Sequence, residues 1–235
     1  MNPDTRAPQT LLVDADDTLW ENNIYFERVI ADFISLLDHQ THTPAEVREH
    51  LNRFEHQTIA AHGYGTRSFR LSLIACFEAL SGSAVSHQHL ERITAFADSI
   101  ADHEIELLPG VAETLPQLAQ RHRLILVTKG NLEEQHDKLE RSGLRAHFSA
   151  IEVPREKNDE IYRELITRYE LDPRNSWMIG NSPKSDINPA LAAGLNAVFV
   201  AHDFTWVLEH AELKPPPVGQ KLLELNGFGK LLEHF

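Results

Sequence analysis

The stretch Thr10-Leu11-Leu12-Val13-Asp14-Ala15-Asp16-Asp17-Thr18 decides how the rest of the chain is read. A short apolar run ends abruptly in three carboxylates within four positions. An apolar run of this length, stopped by turn residues, suits a strand buried on both faces, as in a parallel sheet. In an open parallel sheet, ligands bind beyond the carboxyl ends of the strands. Asp14 and Asp16 therefore stand on the side where a reactant is held. Crowded carboxylates repel one another unless a cation neutralises them, and Mg2+ suits one or two carboxylates together with a substrate phosphate. An Asp-rich turn capping the next segment gives the same letters, so this stretch alone leaves the chemistry open.

Working outward, four more apolar, β-rich segments recur: Leu124–Val127, Phe148–Val153, Trp177–Ile179 and Ala197–Val200. Between them lie helical patterns over Val111–Arg121, Leu132–Ser142, Asp159–Tyr169 and Asn188–Ala193. Gly143 and Gly194 follow two of these helices, where a left-handed terminal residue is wanted. Pro116 should kink or shorten the first helix. The tail adds a strand over Lys221–Leu225 and a helix near Phe228–Glu233. Alternating strands and helices predict an α/β fold, a Rossmann-like, mostly parallel sheet with helices on both faces.

One block breaks that rhythm. From Asn22 to His103 every apolar pattern is helical, with stripes Phe26/Val29/Phe33/Leu37, Val47/Leu51/Phe54, Leu73/Phe77/Leu80 and Leu90/Ile93/Ala97/Ile100. Four such helices can bury their stripes against one another. The expected organisation is a core of residues 1–20 and 105–235 carrying a four-helix cap inserted at 21–104, with hinges at Trp20–Asn22 and Ile105–Pro109.

Composition narrows the function classes. The 235 residues carry a formal net charge of -13, which disfavours a nucleic-acid surface but not a small anionic ligand in a local cationic pocket. Cys76 is the sole cysteine, so no intrachain disulfide can form. Met1–Thr10 is polar and no apolar run is long enough to span a bilayer, so a cytoplasmic protein with no membrane or nucleic-acid partner is expected, as a monomer or homodimer. Pro215-Pro216-Pro217 reads as a short extended connector.

Three further signals stand at strand ends. Trp177-Met178-Ile179 runs into Gly180-Asn181-Ser182-Pro183-Lys184-Ser185-Asp186, where Asp186 either completes a metal site with Asp14 or caps the following helix. Leu124–Val127 leads to Thr128-Lys129-Gly130-Asn131, whose hydroxyl and backbone N–H groups suit phosphate oxygens, or an ordinary loop. Lys157 lies just past the third strand, where a lysine can neutralise phosphate as a point charge, although most single lysines are merely solvated.

All four signals in this order resemble the haloacid dehalogenase superfamily. Asp14-x-Asp16-x-Thr18 is similar to its first motif, Thr128 to its second, Lys157 to its third and Gly180-Asn181-Ser182…Asp186 to its fourth, and the helical insertion resembles the family's first cap type. The resemblance implies that Asp14 is the nucleophile, carrying an aspartyl-phosphate, and that Asp16 is general acid and base. It implies Mg2+ held by Asp14, the backbone carbonyl of Asp16 and Asp186, with Thr128 and Lys157 stabilising the transferring group. Asn181 stands where the family often has Asp, and an amide brings no charge to the metal. Lys129 stands where a small polar residue is common; it either adds a cation beside the phosphate or faces solvent.

Within the family, an acid at position 16 favours phosphate esters over haloacids, because a halide leaving group needs no proton whereas an alkoxide does. The absence of lysine from Asn22–His103 disfavours phosphonate cleavage, whose branch resembles enzymes with a Schiff-base lysine in the cap. In the cap loop Gly63–Arg67, Arg67 can grip an anionic leaving group with Tyr64 packed beside it, or the loop is a plain turn in which Thr66 caps the next helix. Trp20 lines the pocket or packs in the core. The fourteen histidines show no zinc-type spacing. The expected activity is a Mg2+-dependent phosphatase acting on a small phosphorylated metabolite. A phosphomutase, or a non-catalytic module binding a metabolite or protein, is the alternative.

Overall fold

The computed structural model describes residues 7–37 and 41–235; most of the polar start discussed above lies outside that range. Six strands form one sheet: β1 (Thr10–Val13), β2 (Arg123–Val127), β3 (Ala150–Glu152), β4 (Ser176–Gly180), β5 (Asn196–Val200) and β6 (Leu222–Leu225). Their order is β3-β2-β1-β4-β5-β6, and every pairing is parallel. The order reverses at β1, which lies between β2 and β4 with Val13 opposite both Leu126 and Ile179. A reversal of this kind opens a crevice at the carboxyl ends of the two strands it separates.

Successive side chains of a strand point to opposite faces, and both faces are buried. Leu11 and Val13 join Leu124, Leu126, Trp177 and Ile179 on one side, packed on Val111, Leu115 and Leu118 of a helix over Val111–Arg121. Leu12 joins Ile125, Val127 and Met178 on the other, packed on Tyr162 and Leu165 of a helix over Asp159–Arg168. This two-sided burial explains why the strands read as continuous apolar runs. The α/β, Rossmann-like expectation is borne out.

Several details differ from the sequence reading. The third strand is confined to Ala150–Glu152, because Phe148 closes a 3-10 turn over Arg145–His147 and points into the core instead. The terminal Phe228–Glu233 segment is 3-10 rather than α-helical. The helix over Val111–Arg121 keeps its full length through Pro116. The proline removes one N–H partner from the carbonyl of Ala112, an exposed residue at which water can substitute.

The chain divides into two compact units, the first comprising Met1–Asn23, Ile105–Lys129 and Gln135–Phe235, the second Ile24–Glu104 and Gly130–Glu134. The second is built on α1 (Asn23–Leu37), α2 (Pro44–His62), α3 (Thr66–Ser81) and α4 (His87–Asp102). Val29, Phe33, Val47, Leu51, Leu73, Phe77 and Ile93 form its core. Leu90, counted in the fourth stripe, is exposed, and α4 buries only Ile93, Ala97 and Ile100. Thr43 and Glu46 form a reciprocal capping box at the start of α2. The N-terminus of α3 is capped from a distance. Glu134 accepts the Thr66 backbone N–H at 3.1 Å and its hydroxyl at 2.8 Å. Thr66 is thus the first helical residue, not the cap. Gly65 (φ +123°) is required there, since a Cβ would stand 3.0 Å from both the Asn131 Cβ and a Glu134 carboxylate oxygen.

The remaining helices, all in the chain of the first unit except for the start of α6, are α5 (Val111–Arg121), α6 (Leu132–Arg141), α7 (Asp159–Arg168) and α8 (Asn188–Ala193).

Candidate active site

β1 and β4 are neighbours, so the residues that follow them meet. The Asp14 backbone N–H donates to the Ile179 carbonyl at 2.9 Å, which fixes the start of the acidic turn against the end of β4. Beyond β4, Ser182 opens a single π-helical turn, Pro183–Ile187, its hydroxyl accepting from the Ser185 N–H at 2.9 Å. The Ser182 N–H in turn donates to Asp186 Oδ2 at 3.0 Å. Wide turns of this kind occur at functional sites. Gly180 makes room for the carboxylate, because a Cβ at that position would stand 2.3 Å from Asp186 Oδ2.

Lys157 joins the two acids. Its Nζ donates to Asp14 Oδ1 at 2.6 Å and to Asp186 Oδ1 at 2.5 Å, and all three side chains are buried. One ammonium touching both carboxylates places them near enough to share a cation. Burial works against the charge on Lys157, but the two acids outweigh it and hold its pKa well above the ordinary lysine value. Burial and then the charge of Asp14 push Asp186 up to about 7. Burial likewise raises Asp14, against the pull of Lys157. When both buried carboxylates are ionised, one ammonium leaves a negative charge uncompensated, and a hard divalent ion with oxygen ligands suits that imbalance. The donor set therefore fits the Mg2+ expected from sequence.

Neighbouring polar groups surround this charge centre. The Thr18 hydroxyl reaches Asp14 Oδ2 at 3.1 Å and Asn181 Oδ1 at 3.3 Å. Asn181 Nδ2 donates to Thr205 Oγ1 at 3.1 Å, so its amide bridges the first acidic turn to the segment after β5. Thr128 is buried just past the end of β2, and its backbone N–H donates to the Glu152 carbonyl at 3.0 Å. A cavity of about 430 Å³ adjoins Asn181, lined also by Pro183, Phe199, His202, Thr205 and His210.

Asp16 has its own partners. Its Oδ1 accepts from Lys138 Nζ at 2.5 Å and from Trp20 Nε1 at 2.8 Å, and its Oδ2 from Gln135 Nε2 at 2.9 Å. Burial raises its pKa, but Lys138, Gln135 and Trp20 outweigh that and hold the carboxyl below the usual value. Trp20 is fully buried in the core, as one of its two readings has it, and its indole N–H reaches Asp16 from there. Lys129 donates to Glu209 Oε1 at 2.5 Å and to Ser185 Oγ at 3.0 Å. Glu209, itself buried, also accepts from Ser182 Oγ at 2.7 Å. Arg67 belongs to the helical unit, as the exposed second residue of α3.

Sequence reasoning missed Gln135, Lys138 and Glu209, and it named Thr18 only as a motif position without a partner. The first two are spaced i, i+3 on α6, a spacing that puts them on one face, but nothing in the letters says which face meets Asp16. It also missed a second set. Among the described residues, Asp17, Glu21 and His202 bring potential ligand atoms within 4.8 Å of one another. Burial pushes Asp17 up to about 7, and its Oδ1 accepts the backbone N–H groups of Asn22 at 2.9 Å and Asn23 at 3.0 Å.

Comparison with known proteins identifies the family. A family model, haloacid dehalogenase-like hydrolase, matches residues 8–194. The chain belongs to this family. The haloacid dehalogenase-like chain is 24% identical over 199 residues to the human N-acylneuraminate-9-phosphatase, covering 80% of each. It is 30% identical over 82 residues to the phosphoserine phosphatase of Thermus thermophilus, 33% of each chain. Among solved structures it resembles a haloacid dehalogenase-like family hydrolase from Xanthomonas campestris, with 28% identity and a TM-score of 0.83 over 98% of this chain and 91% of that one. The family resemblance is borne out, and the chain is a hydrolase of this kind. Among the described residues no helix is long and apolar enough to cross a membrane.

Proposed function

We propose that this hydrolase cleaves a small phosphate monoester through a phosphoryl group carried on Asp14. The observation that carries the reading is the Lys157 ammonium held between Asp14 Oδ1 and Asp186 Oδ1, at 2.6 and 2.5 Å. It ties the first, third and fourth motifs into one buried charge centre. Similarity to proteins named as phosphatases supports the phosphoester branch.

In this reading an Asp14 carboxylate oxygen attacks phosphorus and the bond to the leaving oxygen breaks. Asp16 delivers a proton to that oxygen. Water then attacks the phosphoryl group, its proton passing to Asp16, and the bond to Asp14 breaks to release inorganic phosphate. Lys157 and the Thr128 hydroxyl stabilise charge on the transferring group. Asp14, the backbone carbonyl of Asp16 and Asp186 are the proposed holders of Mg2+, with Asn181 beside them; when bound, the ion offsets repulsion between the carboxylates and the phosphate. The helical unit serves as the cap, and Arg67 is its candidate for an anionic part of the substrate. Lys129 is paired with Glu209, which also holds Ser182, and this supports a role for Lys129 in holding the Ser182–Asp186 turn.

The test is direct. Purified protein should hydrolyse an aryl phosphate with added Mg2+ and lose at least about a hundredfold in rate with EDTA, the range expected for removing a charge-stabilising group. Activity indifferent to EDTA, or none across a panel of phosphorylated metabolites with Mg2+, contradicts the reading.

A further inference from the structure

Three donors converge on Asp16, more than a side chain kept merely soluble needs. Lys138 Nζ (2.5 Å) and Trp20 Nε1 (2.8 Å) both donate to Oδ1, and Gln135 Nε2 (2.9 Å) donates to Oδ2. Lys138 is only 14% exposed, Gln135 and Trp20 are buried, and Lys138 also donates to Asn22 Oδ1 at 3.1 Å. The Gln135 amide is fixed in turn by a second bond, to the Lys129 carbonyl at 3.3 Å. A carboxylate oxygen offers two lone-pair directions. Both on Oδ1 are occupied by these donors, whereas Oδ2 keeps one.

We propose that Lys138, assisted by Trp20 and Gln135, is a positioning residue that anchors Asp16 by Oδ1 and leaves Oδ2 as the oxygen that exchanges a proton with the substrate. The inference rests on the phosphohydrolase reading above. A surface acid neutralised by a passing lysine keeps several rotamers, and such pairs contribute little. A carboxylate gripped at both oxygens by groups on α6 and on the Trp20 turn keeps one. Holding an acid within hydrogen-bond reach of the leaving oxygen is what general acid catalysis requires. Without the anchor Asp16 is still present but misdirected, and the cost falls on substrates whose leaving oxygen must be protonated as its bond to phosphorus breaks. An aryl oxide departs without that help; an alkoxide does not.

The contrast gives the experiment. For the full-length protein with Mg2+, kcat/KM is measured on 4-nitrophenyl phosphate and on the fastest alkyl phosphate found in a metabolite panel. This ratio reports steps only through phosphoryl transfer to the enzyme, so a slower hydrolysis of the phosphoenzyme does not blur it. Lys138→Met should lose at least about tenfold more on the alkyl ester than on the aryl ester, within the range a general acid supplies. Lys138→Arg, which keeps a cationic donor, should recover most of the loss. Trp20→Phe removes one donor while keeping most of the ring volume, and should shift the same ratio in the same direction even if Lys138→Met does not fold. Equal losses on both esters, or none on the alkyl ester, overturn the positioning role while leaving the phosphohydrolase reading intact. A wild-type protein inert on every phosphate ester sinks that reading, and this inference with it.

Discussion

At the scale of single residues, the site is governed by what each buried charge can lean on. Lys157 is the common partner of Asp14 and Asp186, and Gly180 exists to leave space beside the latter. A Cβ there would approach Asp186 Oδ2 to 2.3 Å, closer than real side-chain contacts come. Gly180→Ala should therefore displace the carboxylate and lower activity by at least about tenfold, since small misplacements at a reacting centre are costly. The fold should survive, because β4 is otherwise a regular strand. A steady-state assay beside a thermal melt checks this; an active, unshifted Gly180→Ala protein would mean that Asp186 has freedom the geometry denies it. Asp14, Asp16, Thr128, Lys157 and Asp186 were legible as candidates because each follows an apolar run and the runs were recognisable. Lys138, Gln135 and Glu209 were not, because each sits among many exposed-looking charges, and only the rotation of a helix or the path of a loop selects the one that turns inward.

At the scale of elements, the strands announced themselves through unbroken apolar runs, and the helices through their spacing. What the sequence could not supply were interruptions decided by packing, such as the shortening of β3 by the turn that buries Phe148. The capping of α3 by Glu134 belongs to the same class, since a helix end and a carboxylate separated by 68 positions leave no local trace. Glu55 gives α2 a pH response. It is buried, its Oε2 has no hydrogen-bond partner, and burial pushes its pKa up to about 7, against the pull of Arg48. The native state therefore favours the protonated acid. The stabilisation this brings is complete below the ordinary glutamate value and is lost as pH rises through about 7. Glu55→Gln, permanently neutral, should match the wild type near pH 5 and exceed it at pH 8, by on the order of 2 kcal/mol. Denaturant melts at the two pH values measure this, and a variant no more stable than wild type at pH 8 would show that Glu55 finds a partner when ionised.

At the scale of the whole molecule, a parallel sheet whose order reverses at β1 brings together residues that lie far apart along the chain. Asp14 and Lys157 are 143 positions apart, yet they share a hydrogen bond. A formal net charge of -13 makes that local concentration of cations more telling, since Lys157, Lys138 and Lys129 are all drawn to carboxylates around one strand edge. The fold places the proposed nucleophile, the candidate proton donor and the candidate ligands for a cation within the first unit. The claim most exposed to test is that Asp14 receives the phosphoryl group. Protein mixed with a radiolabelled phosphate ester and Mg2+, then quenched in acid within a single turnover, should carry label on the peptide containing Asp14, and Asp14→Asn should carry none. Label on another residue, or undiminished turnover in Asp14→Asn, would contradict the account.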